Sequence, residues 1–460
     1  MDFKKIISWL NNPVPNISIT LFRTIFSFIL LIQTYYFISN GFIKENIIEP
    51  FMLFPFISGL KPMAEIYLVV LSYIMLVANI GMLFNKTAKI STLFFVCSFT
   101  YFWLLDKTYF NNHYYFMSLI CFILLVVEHN SSFKKMNYVS RWSLFALQAM
   151  VVITYLIAGI NKLNPYWLID LQPITFILEN KCDVTENTFF INPLLVLLIT
   201  YAGLLFDLLI GFLLFYKRTK LLAFILVIGF NIMNYLLFLD NSEIGVFPFI
   251  MISTLILFIN PEYLTKVFKV TEGGSHRRES HQLVKYFIAA FLLLQIILPF
   301  RHLIFKGYVD YNGIGQRFSW RMKSMCKTPT TEGIIQFSVI DKKSKTQIAY
   351  FHLLNMEKQF KKSGIHENLY LTKNQIIKLL YYPDLLPVFT KKIESIISNH
   401  TSKTYNVNLN FIITANCHIK FMERSSQPLI NTSIDLTEAS GFNSNKWLNN
   451  LEQKPWRFHQ

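Results

Sequence analysis

The chain has 460 residues, of which 53% are hydrophobic and 15% are charged, whereas soluble domains are about one quarter charged. Long apolar runs occupy the chain up to about residue 300, so a single soluble core is excluded and an integral membrane protein is predicted. The net charge of +16 does not indicate a nucleic-acid partner. No recognition motif accompanies it, and much of the basic excess lies in short loops between apolar runs, as membrane topology requires.

Nine apolar segments approach the roughly 20 residues that a helix needs to cross a bilayer. They are residues 17–38, 64–84, 88–105, 114–128, 143–160, 193–216, 220–239, 244–259 and 284–300. The fourth and eighth are short, which leaves tilting, re-entry or extension by flanking aromatic residues open for each. The predicted fold class is therefore an all-α polytopic membrane bundle over residues 1–300, followed by a separate domain.

Loop charge predicts the orientation of this bundle, because Lys and Arg accumulate on the cytoplasmic side. With the N-terminus in the cytoplasm, 14 basic residues lie in the inner segments: Lys4, Lys5, Lys86, Lys89, Lys134, Lys135, Arg141, Lys217, Arg218, Lys220, Lys266, Lys269, Arg277 and Arg278. The outer loops carry only Lys44, Lys61, Lys107, Lys162 and Lys181. An odd number of spans then places the C-terminal domain on the non-cytoplasmic side of the membrane.

The C-terminal domain, residues 301–460, has the mixed pattern of a small α+β fold. Its predicted elements are two strands of a hairpin, a helix and a further strand, at residues 334–340, 346–352, 373–398 and 406–414. The helix is expected to break near Pro383 and Pro387, and the last strand alternates like a half-buried one.

The five cysteines form neither a CxxC pair nor a zinc pattern, so no metal is expected. Cys97 and Cys121 lie inside apolar runs, where reduced thiols are expected. The other three could supply one disulfide on an oxidising face, in a pairing that the spacing does not select: Cys182, Cys326 and Cys417.

Polar residues at membrane depth are the first candidates for function, because they are costly there. The first cluster, residues 106–113, contains Asn112 and His113 and is enclosed by Trp103 and neighbouring tyrosines. A hydrated outer loop is the plain alternative, but the aromatic density favours a functional site.

A second cluster, residues 158–164, ends the fifth span. Lys162 has the position of a snorkelling anchor. A desolvated ammonium there would instead have the lowered pKa that a lysine base needs. Gly159 would allow another helix to approach closely.

Three further clusters lie deeper or later in the chain. Asp207 in the sixth span must be paired or protonated, with Arg23 as a candidate partner, and a structural ion pair and catalysis both stay open. Asn231 and Asn234 share one face of the seventh span, where hydrogen bonding between helices is their usual role. Arg301, His302 and residues 316–322 could hold an anion or a quinone ring, or could attach the domain to the bundle.

Several of these segments resemble vitamin K-dependent γ-glutamyl carboxylases. Residues 103–115 look like the family's "LLDKT…NNH-Y" signature, and residues 155–167 resemble its "YFIAG-x-x-KL-x-x-x-W" segment. Further similarities, in the same order, are Phe206-Asp207-Leu208, the stretch ending at Asn234, residues 317–322, and Gln427-Pro-Leu-Ile-Asn with Asp435-Leu436. The resemblance covers about residues 15–438. Bacterial members are described as having a horizontally transferred transmembrane (HTTM) domain, and the Lys- and Phe-rich composition favours a bacterial inner-membrane protein.

The resemblance implies a lyase-type carboxylation coupled to quinone epoxidation. A lysine deprotonates reduced vitamin K, or a menaquinol-type naphthoquinone, which reacts with O₂ to give the epoxide and supplies a base strong enough to remove the γ-proton of a glutamate. CO₂ then adds to that carbon of an unknown Glu-containing protein or peptide. The cofactor supplies the hard chemistry, while the protein excludes water and orients the rings.

The residues that the resemblance assigns are these. Lys162 matches the catalytic lysine, and His113 matches a histidine expected to hydrogen-bond the cofactor oxygen. The expected cofactor-binding residues are Asn112, Trp103, Asn231, Asn234, Met322 and Asp207. Asn231 stands where family members often have His, so polarity is kept but a titratable partner is not.

Two classes of function stay open. The first is an enzyme, either the carboxylase or a quinol epoxidase that does not carboxylate. The second is a non-catalytic membrane protein for transport or assembly on the same fold, since fold does not secure activity. A cavity shared by His113 and Lys162 would favour the enzyme, and a continuous polar pathway through Arg23, Asp207 and Asn231 would favour transport.

Overall fold

A computed structural model describes residues 3–127, 135–238, 244–272, 282–406 and 409–451. Lys134, Arg277 and Arg278, three of the basic residues used to predict the orientation, lie outside these ranges.

The N-terminal part is a bundle of mainly long apolar helices. In chain order these are α1 (Phe3–Asn11), α2 (Ile17–Ser39), α3 (Glu65–Leu83), α4 (Ala88–Leu104), α5 (Asn112–Val126), α6 (Arg141–Asn161), α7 (Pro165–Leu168), α8 (Ile174–Thr185), α9 (Pro193–Phe215), α10 (Lys220–Leu237), α11 (Phe247–Ser253), α12 (Pro261–Val267) and α13 (Gln282–Ile297). The all-α prediction missed two short strand pairs, in which β1 (Pro13–Pro15) is antiparallel to β3 (Tyr138–Ser140) and β2 (Lys135–Met136) is parallel to β4 (Thr271–Glu272).

Every predicted span coincides with a helix, but the helices differ in their ability to cross a bilayer. Within the described residues, six are long and apolar enough: α2, α3, α6, α9, α10 and α13 with its 3₁₀ extension to Ile304. The third and fourth predicted spans fall on the shorter helices α4 and α5. The count of nine spans and the sidedness therefore stay predictions.

The eighth predicted span is a broken helix. The segment Phe247–Phe258 turns by 95° into α12. Asn260 begins the second piece by accepting a hydrogen bond from the Glu262 N–H at 3.1 Å, and Pro261 follows at the first helical position. Since the residue before a proline is pushed out of the helical conformation, this Asn-Pro pair is the local cause of the turn.

Helix α6 lies at the centre of the bundle: 78% of its most apolar 18-residue stretch is buried, compared with 17% for α10. Close approach to α9 explains part of this burial. A Cβ on Gly159 of α6 would lie 2.9 Å from the Leu208 backbone nitrogen, and a Cβ on Gly211 of α9 would lie 2.6 Å from Val152 Cγ1. The predicted role of Gly159 in admitting a neighbouring helix is thus confirmed.

The C-terminal part is an α+β unit with its own hydrophobic core. Its elements are α14 (Val309–Asn312), β5 (Lys327–Pro329), β6 (Gln336–Asp341), β7 (Gln347–His352), α15 (Met356–Lys362), α16 (Lys373–Tyr381), α17 (Leu386–Tyr405), β8 (Phe411–Asn416), β9 (His418–Phe421), β10 (Gln427–Pro428) and α18 (Ser444–Trp447). They form two antiparallel sheets, ordered β7-β6-β8 and β10-β9-β5.

The predicted hairpin is confirmed as the pair β6–β7. The predicted helix breaks at Pro383, which begins a 3₁₀ turn between α16 and α17, whereas Pro387 lies in the first turn of α17 and causes no break. The physical reason is that a proline at a helix start needs no N–H partner. Helix α17 then covers the sheet through Phe389, whose ring lies 5.3 Å from that of Phe337 on β6.

The loop that follows α4 attaches this unit to the bundle. Asp106 is fully buried, and its carboxylate accepts hydrogen bonds from the Thr108 N–H at 2.8 Å and from Gln375 Nε2 of α16 at 2.9 Å. Asn374 donates to the Thr108 carbonyl at 2.9 Å. Burial raises the pKa of Asp106. This part of the first polar cluster is therefore a docking contact rather than a hydrated loop.

All five cysteines are free thiols. The option of a disulfide among Cys182, Cys326 and Cys417 is therefore not realised. Cys326 and Cys417 are buried in the C-terminal core, where burial raises the pKa of each thiol to about 12.

Candidate functional site

A buried pair of opposite charges lies where α6 ends against α9. Lys162 follows the last residue of α6, and its Nζ lies 2.6 Å from Asp207 Oδ2 of α9. The two residues are 8% and 3% exposed. Lys162 Nζ also lies 4.7 Å from the ring centroid of Trp167. The ammonium, the carboxylate and the indole form one enclosed unit, which neither a snorkelling anchor nor an unpaired amine would form.

The expected partner of Asp207 was wrong. Arg23 Nη2 instead donates to Asn85 Oδ1 at 2.6 Å, in the turn between α3 and α4. Helix α4 leads from that turn to Asp106, which contacts the C-terminal domain, so Asn85 marks the opposite end of the bundle. Arg23 and Asp207 are therefore held at different depths, a distinction that hydropathy alone does not make.

Tyr155 extends the polar site along α6 and was missed as a site residue. Its hydroxyl accepts a hydrogen bond from Asn231 Nδ2 of α10 at 3.4 Å, and it interacts electrostatically with Asp207. Its position seven residues before Lys162, on the same helical face, was a usable signal. Asn231 is buried and also donates to the Val227 carbonyl, while Asn234 is half-buried one turn later.

One loop, residues 316–323, contacts both the start of α5 and the end of α6 through hydrogen bonds. Asn112 Nδ2 of α5 donates to the Arg321 carbonyl at 3.2 Å, and Asn161 Nδ2 of α6 donates to the Ser319 carbonyl at 2.6 Å. These carbonyls are two residues apart, so they are separated by roughly 7 Å at most. The C-terminal part thus holds the helix ends that carry His113 and Lys162 next to each other.

His113 is held by an aromatic contact. Its ring stacks on Phe247 of α11, with centroids 4.1 Å apart and planes 12° apart. Lys323 of the joining loop lies near enough to act on it electrostatically. Within the described residues no hydrogen bond links His113 to Lys162, so the two residues share a neighbourhood through loop 316–323 without touching.

Trp103 lines an apolar cavity beside this neighbourhood. The cavity has a volume of about 10 Å³, room for about one water molecule. Its walls are Gln33, Thr34, Phe37, Phe42, Met75, Phe99, Phe102, Trp103, Tyr109 and Tyr114. Met322 lies half-buried in loop 316–323, two residues after the buried Trp320. Of the candidate site residues, Trp103 alone lines this cavity; His113 and Lys162, which were expected to share a cavity, do not line it.

The lining suits a fused aromatic ring that carries oxygens. Aromatic faces surround the cavity, and the side-chain amide of Gln33 and the hydroxyl of Thr34 lie at its edge, whereas the Tyr109 hydroxyl already donates to Asn46 Oδ1 at 2.6 Å. The fully buried Trp320 has an indole N–H without a hydrogen-bond partner among the described residues, close to Tyr115 and Phe116. The chemistry fits a naphthoquinone, but the volume requires these side chains to move apart to admit one.

These features define a class: a polytopic membrane protein with a buried lysine–carboxylate pair and an aromatic pocket, closed at one end by an α+β domain. Comparison with protein-family models identifies the family within this class. Residues 11–263 match the HTTM domain, and residues 280–454 match the lumenal domain of vitamin K-dependent gamma-carboxylase. No solved structure matches the chain. The chain belongs to the vitamin K-dependent γ-carboxylase family, whose members use reduced vitamin K, O₂ and CO₂.

Proposed function

We propose that this protein is a membrane enzyme that oxidises a reduced naphthoquinone to its epoxide and couples this to carboxylation of a protein glutamate. The observation that carries the proposal is the buried contact of 2.6 Å between Lys162 Nζ and Asp207 Oδ2. When bound, the reduced quinone supplies, with O₂, the strong base that removes the glutamate γ-proton, and CO₂ adds at that carbon.

The Lys162–Asp207 pair would act on the first proton of this reaction. In a low-dielectric site an isolated charge is costly, so each member of the pair stabilises the other. With the reduced quinone bound, Lys162 Nζ would be the atom that accepts this first proton. Asp207 stabilises the ammonium that results, because its carboxylate is already within hydrogen-bond distance.

The remaining site residues would bind and orient the ring. We assign the cofactor oxygen to His113, with Asn112 fixing the start of α5 against loop 316–323. Trp103 would stack on the ring, while Met322, Asn231 and Asn234 complete the surroundings. Stacking on Phe247 leaves the two nitrogens on the edge of the His113 ring free of hydrogen bonds within the described residues.

Substitution of Lys162 tests the proposal. Lys162→Arg should abolish epoxide formation, because a guanidinium cannot be deprotonated at working pH. Lys162→Ala should also be inactive but partly recovered by small added amines. Lys220→Arg is the matched control, since Lys220 lies at a helix start and donates to the Phe258 carbonyl at 2.8 Å. Normal epoxide formation by folded Lys162→Arg protein would refute the assignment.

The transport alternative loses its main support. It required a polar pathway through Arg23, Asp207 and Asn231, but Asp207 is paired with Lys162 and Arg23 is bonded to Asn85. Epoxidation without carboxylation stays an alternative outcome of the same assay. It would appear as epoxide formation with no γ-carboxyglutamate.

A further inference from the structure

A second charged cluster lies between the bundle and the C-terminal domain. We call it the cationic cluster and define it by Lys107, Arg301 and Arg317. Arg317 Nη1 donates to Asp384 Oδ2 at 2.7 Å, and its guanidinium lies 4.5 Å from the ring centroid of Tyr382. Arg317 is only 6% exposed, so its hydrogen bonds must be satisfied within the site.

Two donor atoms of Arg317 are unsatisfied. Within the described residues, Nε and Nη2 are buried and have no hydrogen-bond partner. Buried donors are almost always paired in proteins, so two such atoms on one side chain require an explanation. The two atoms form one edge of the guanidinium, and that edge is the geometry with which arginine binds a carboxylate through two parallel hydrogen bonds.

The local charge also favours an incoming anion. Three cations surround Asp384, because Lys107 and Arg301 both interact electrostatically with it and with Arg317. Asp106, a second carboxylate that acts on Lys107, is already bonded to Thr108 and Gln375. Burial lowers the pKa of Lys107, the Asp384 carboxylate opposes this shift, and repulsion by Arg317 adds to it. One added negative charge would reduce this repulsion.

The cationic cluster adjoins the aromatic pocket through Phe318. Arg301 lies over the Phe318 ring at 5.1 Å, and that ring contacts Trp103 with centroids 6.3 Å apart. The Asp384 side chain, 22% exposed, marks the side of the cluster that reaches the surface. A group entering there would have a carboxylate at Arg317 and its neighbouring carbons beside the aromatic wall.

We propose that Arg317 Nε and Nη2 bind the side-chain carboxylate of the glutamate that is carboxylated. This inference rests on the proposed function for its substrate class. Arg317 is then a substrate-binding residue, and the unsatisfied edge of its guanidinium is the specificity element that distinguishes glutamate from glutamine.

Peptide binding to the full chain in lipid nanodiscs, without quinol, tests this. The probes are two capped pentapeptides that differ only in a central Glu or Gln. The unaltered protein should bind the Glu peptide at least about 10-fold more tightly, as expected for hydrogen bonds to a charged group. Arg317→Gln should bind both peptides equally. Because no reaction is measured, the outcome is independent of whether the protein makes epoxide.

Arg424→Gln is the matched control. Arg424 also pairs with an aspartate, Asp170, and lies 4.7 Å from a tyrosine ring centroid at Tyr166, but both nitrogens of its corresponding edge are bonded to Asp170. This variant should keep the preference for Glu.

Further variants keep the test decisive if Arg317→Gln does not fold. Arg317→Gln with Asp384→Asn removes both members of the Arg317–Asp384 pair together and should lose the preference, while Asp384→Asn alone should keep it. The inference is overturned if the unaltered protein shows no preference, if the folded Arg317 variants retain it, or if Arg424→Gln loses it equally. Binding of bicarbonate alone that depends on Arg317, with the two peptides bound equally, would also overturn it.

Discussion

Asp207 occupies a position in α9 at which a lone carboxylate would be strongly unfavourable. Its stability there depends on Lys162, which lies 45 positions earlier and reaches it from the end of α6. Such a pair adds little to stability compared with apolar residues, yet removal of one partner is strongly destabilising. The presence of the pair is therefore better explained by chemistry than by folding.

Asp207 variants separate these two effects. Asp207→Asn should lose epoxide formation and should unfold more easily, by about 3–5 kcal/mol, because Lys162 is left without its carboxylate. The double variant Lys162→Met with Asp207→Leu should recover the stability and stay inactive. Thermal unfolding in detergent and the epoxide assay report the two properties. An Asp207→Asn protein with unchanged stability and activity would contradict the role given to the pair.

Lys327 of β5 is a buried lysine whose protonation should make the stability of the C-terminal domain depend on pH. It is 3% exposed, and burial lowers its pKa to about 7, although Asp310 acts in the opposite direction. Its Nζ donates to the Tyr381 carbonyl at 2.8 Å. The unfolded chain, with a lysine pKa of about 10.4, binds more protons above pH 7, so folding becomes more favourable as the pH rises. Below pH 7 the full penalty of burying the ammonium is present.

Comparison with Lys327→Met isolates this effect. Between pH 7 and 9 the unfolding free energy of the unaltered protein should increase relative to that of the variant, by up to about 1.4 kcal/mol per pH unit. Thermal unfolding at several pH values measures the difference. A difference that stays constant across this range would show that Lys327 does not titrate there.

At the scale of elements, the contact between α6 and α9 sets the geometry of the site. Gly159→Ala would place a methyl group 2.9 Å from the Leu208 backbone, next to Asp207, so the helices must separate. Gly203→Ala on α9 is the control, because its added Cβ meets nothing within 4 Å. The Gly159 variant should lose epoxide activity and stability, while the Gly203 variant should keep activity and gain up to about 1 kcal/mol from helix propensity. Equal behaviour of the two variants would refute this role of the contact.

Some elements could be predicted from the sequence and others could not. Apolar runs located every long helix of the bundle, because hydropathy responds to the solvent around a single segment. The hairpin β6–β7 was also predictable, because its two strands and its turn are adjacent in the sequence. The end of the eighth apolar run at residue 259 was predicted, but the turn at Asn260 into α12 was not, because the seven residues of α12 are too few and too polar to be recognised as part of a span. The pairing of Asp207 depends on contacts between distant segments, so the sequence suggested Arg23 and did not indicate Lys162.

The sequence identified individual residues of the site but not how they are arranged in space. The residue types marked Lys162 and His113, but the loop 316–323 that joins their helix ends is visible only in three dimensions. Backbone carbonyls of Ser319 and Arg321 make those contacts, and a carbonyl has no residue signature. The same limit applies to Arg317, for which anion binding and domain attachment were both open.

At the scale of the whole molecule, the predicted orientation places the C-terminal domain outside the cytoplasm. Ser344 is exposed in the β6–β7 turn, and Lys86 is exposed in the turn between α3 and α4 at the opposite end. Ser344→Cys should react with an impermeant thiol reagent on intact cells, whereas Lys86→Cys should react only after lysis. Labelling of the unaltered chain measures the background from its own five thiols. Reaction in the reverse order would invert the topology.

The most direct measurement of the central claim uses the purified chain with reduced vitamin K, O₂, labelled CO₂ and a Glu-containing peptide, and quantifies the epoxide and γ-carboxyglutamate separately. We expect both products from the unaltered protein and neither from Lys162→Arg. Formation of neither product by folded, unaltered protein, or formation of both by Lys162→Arg, would contradict it.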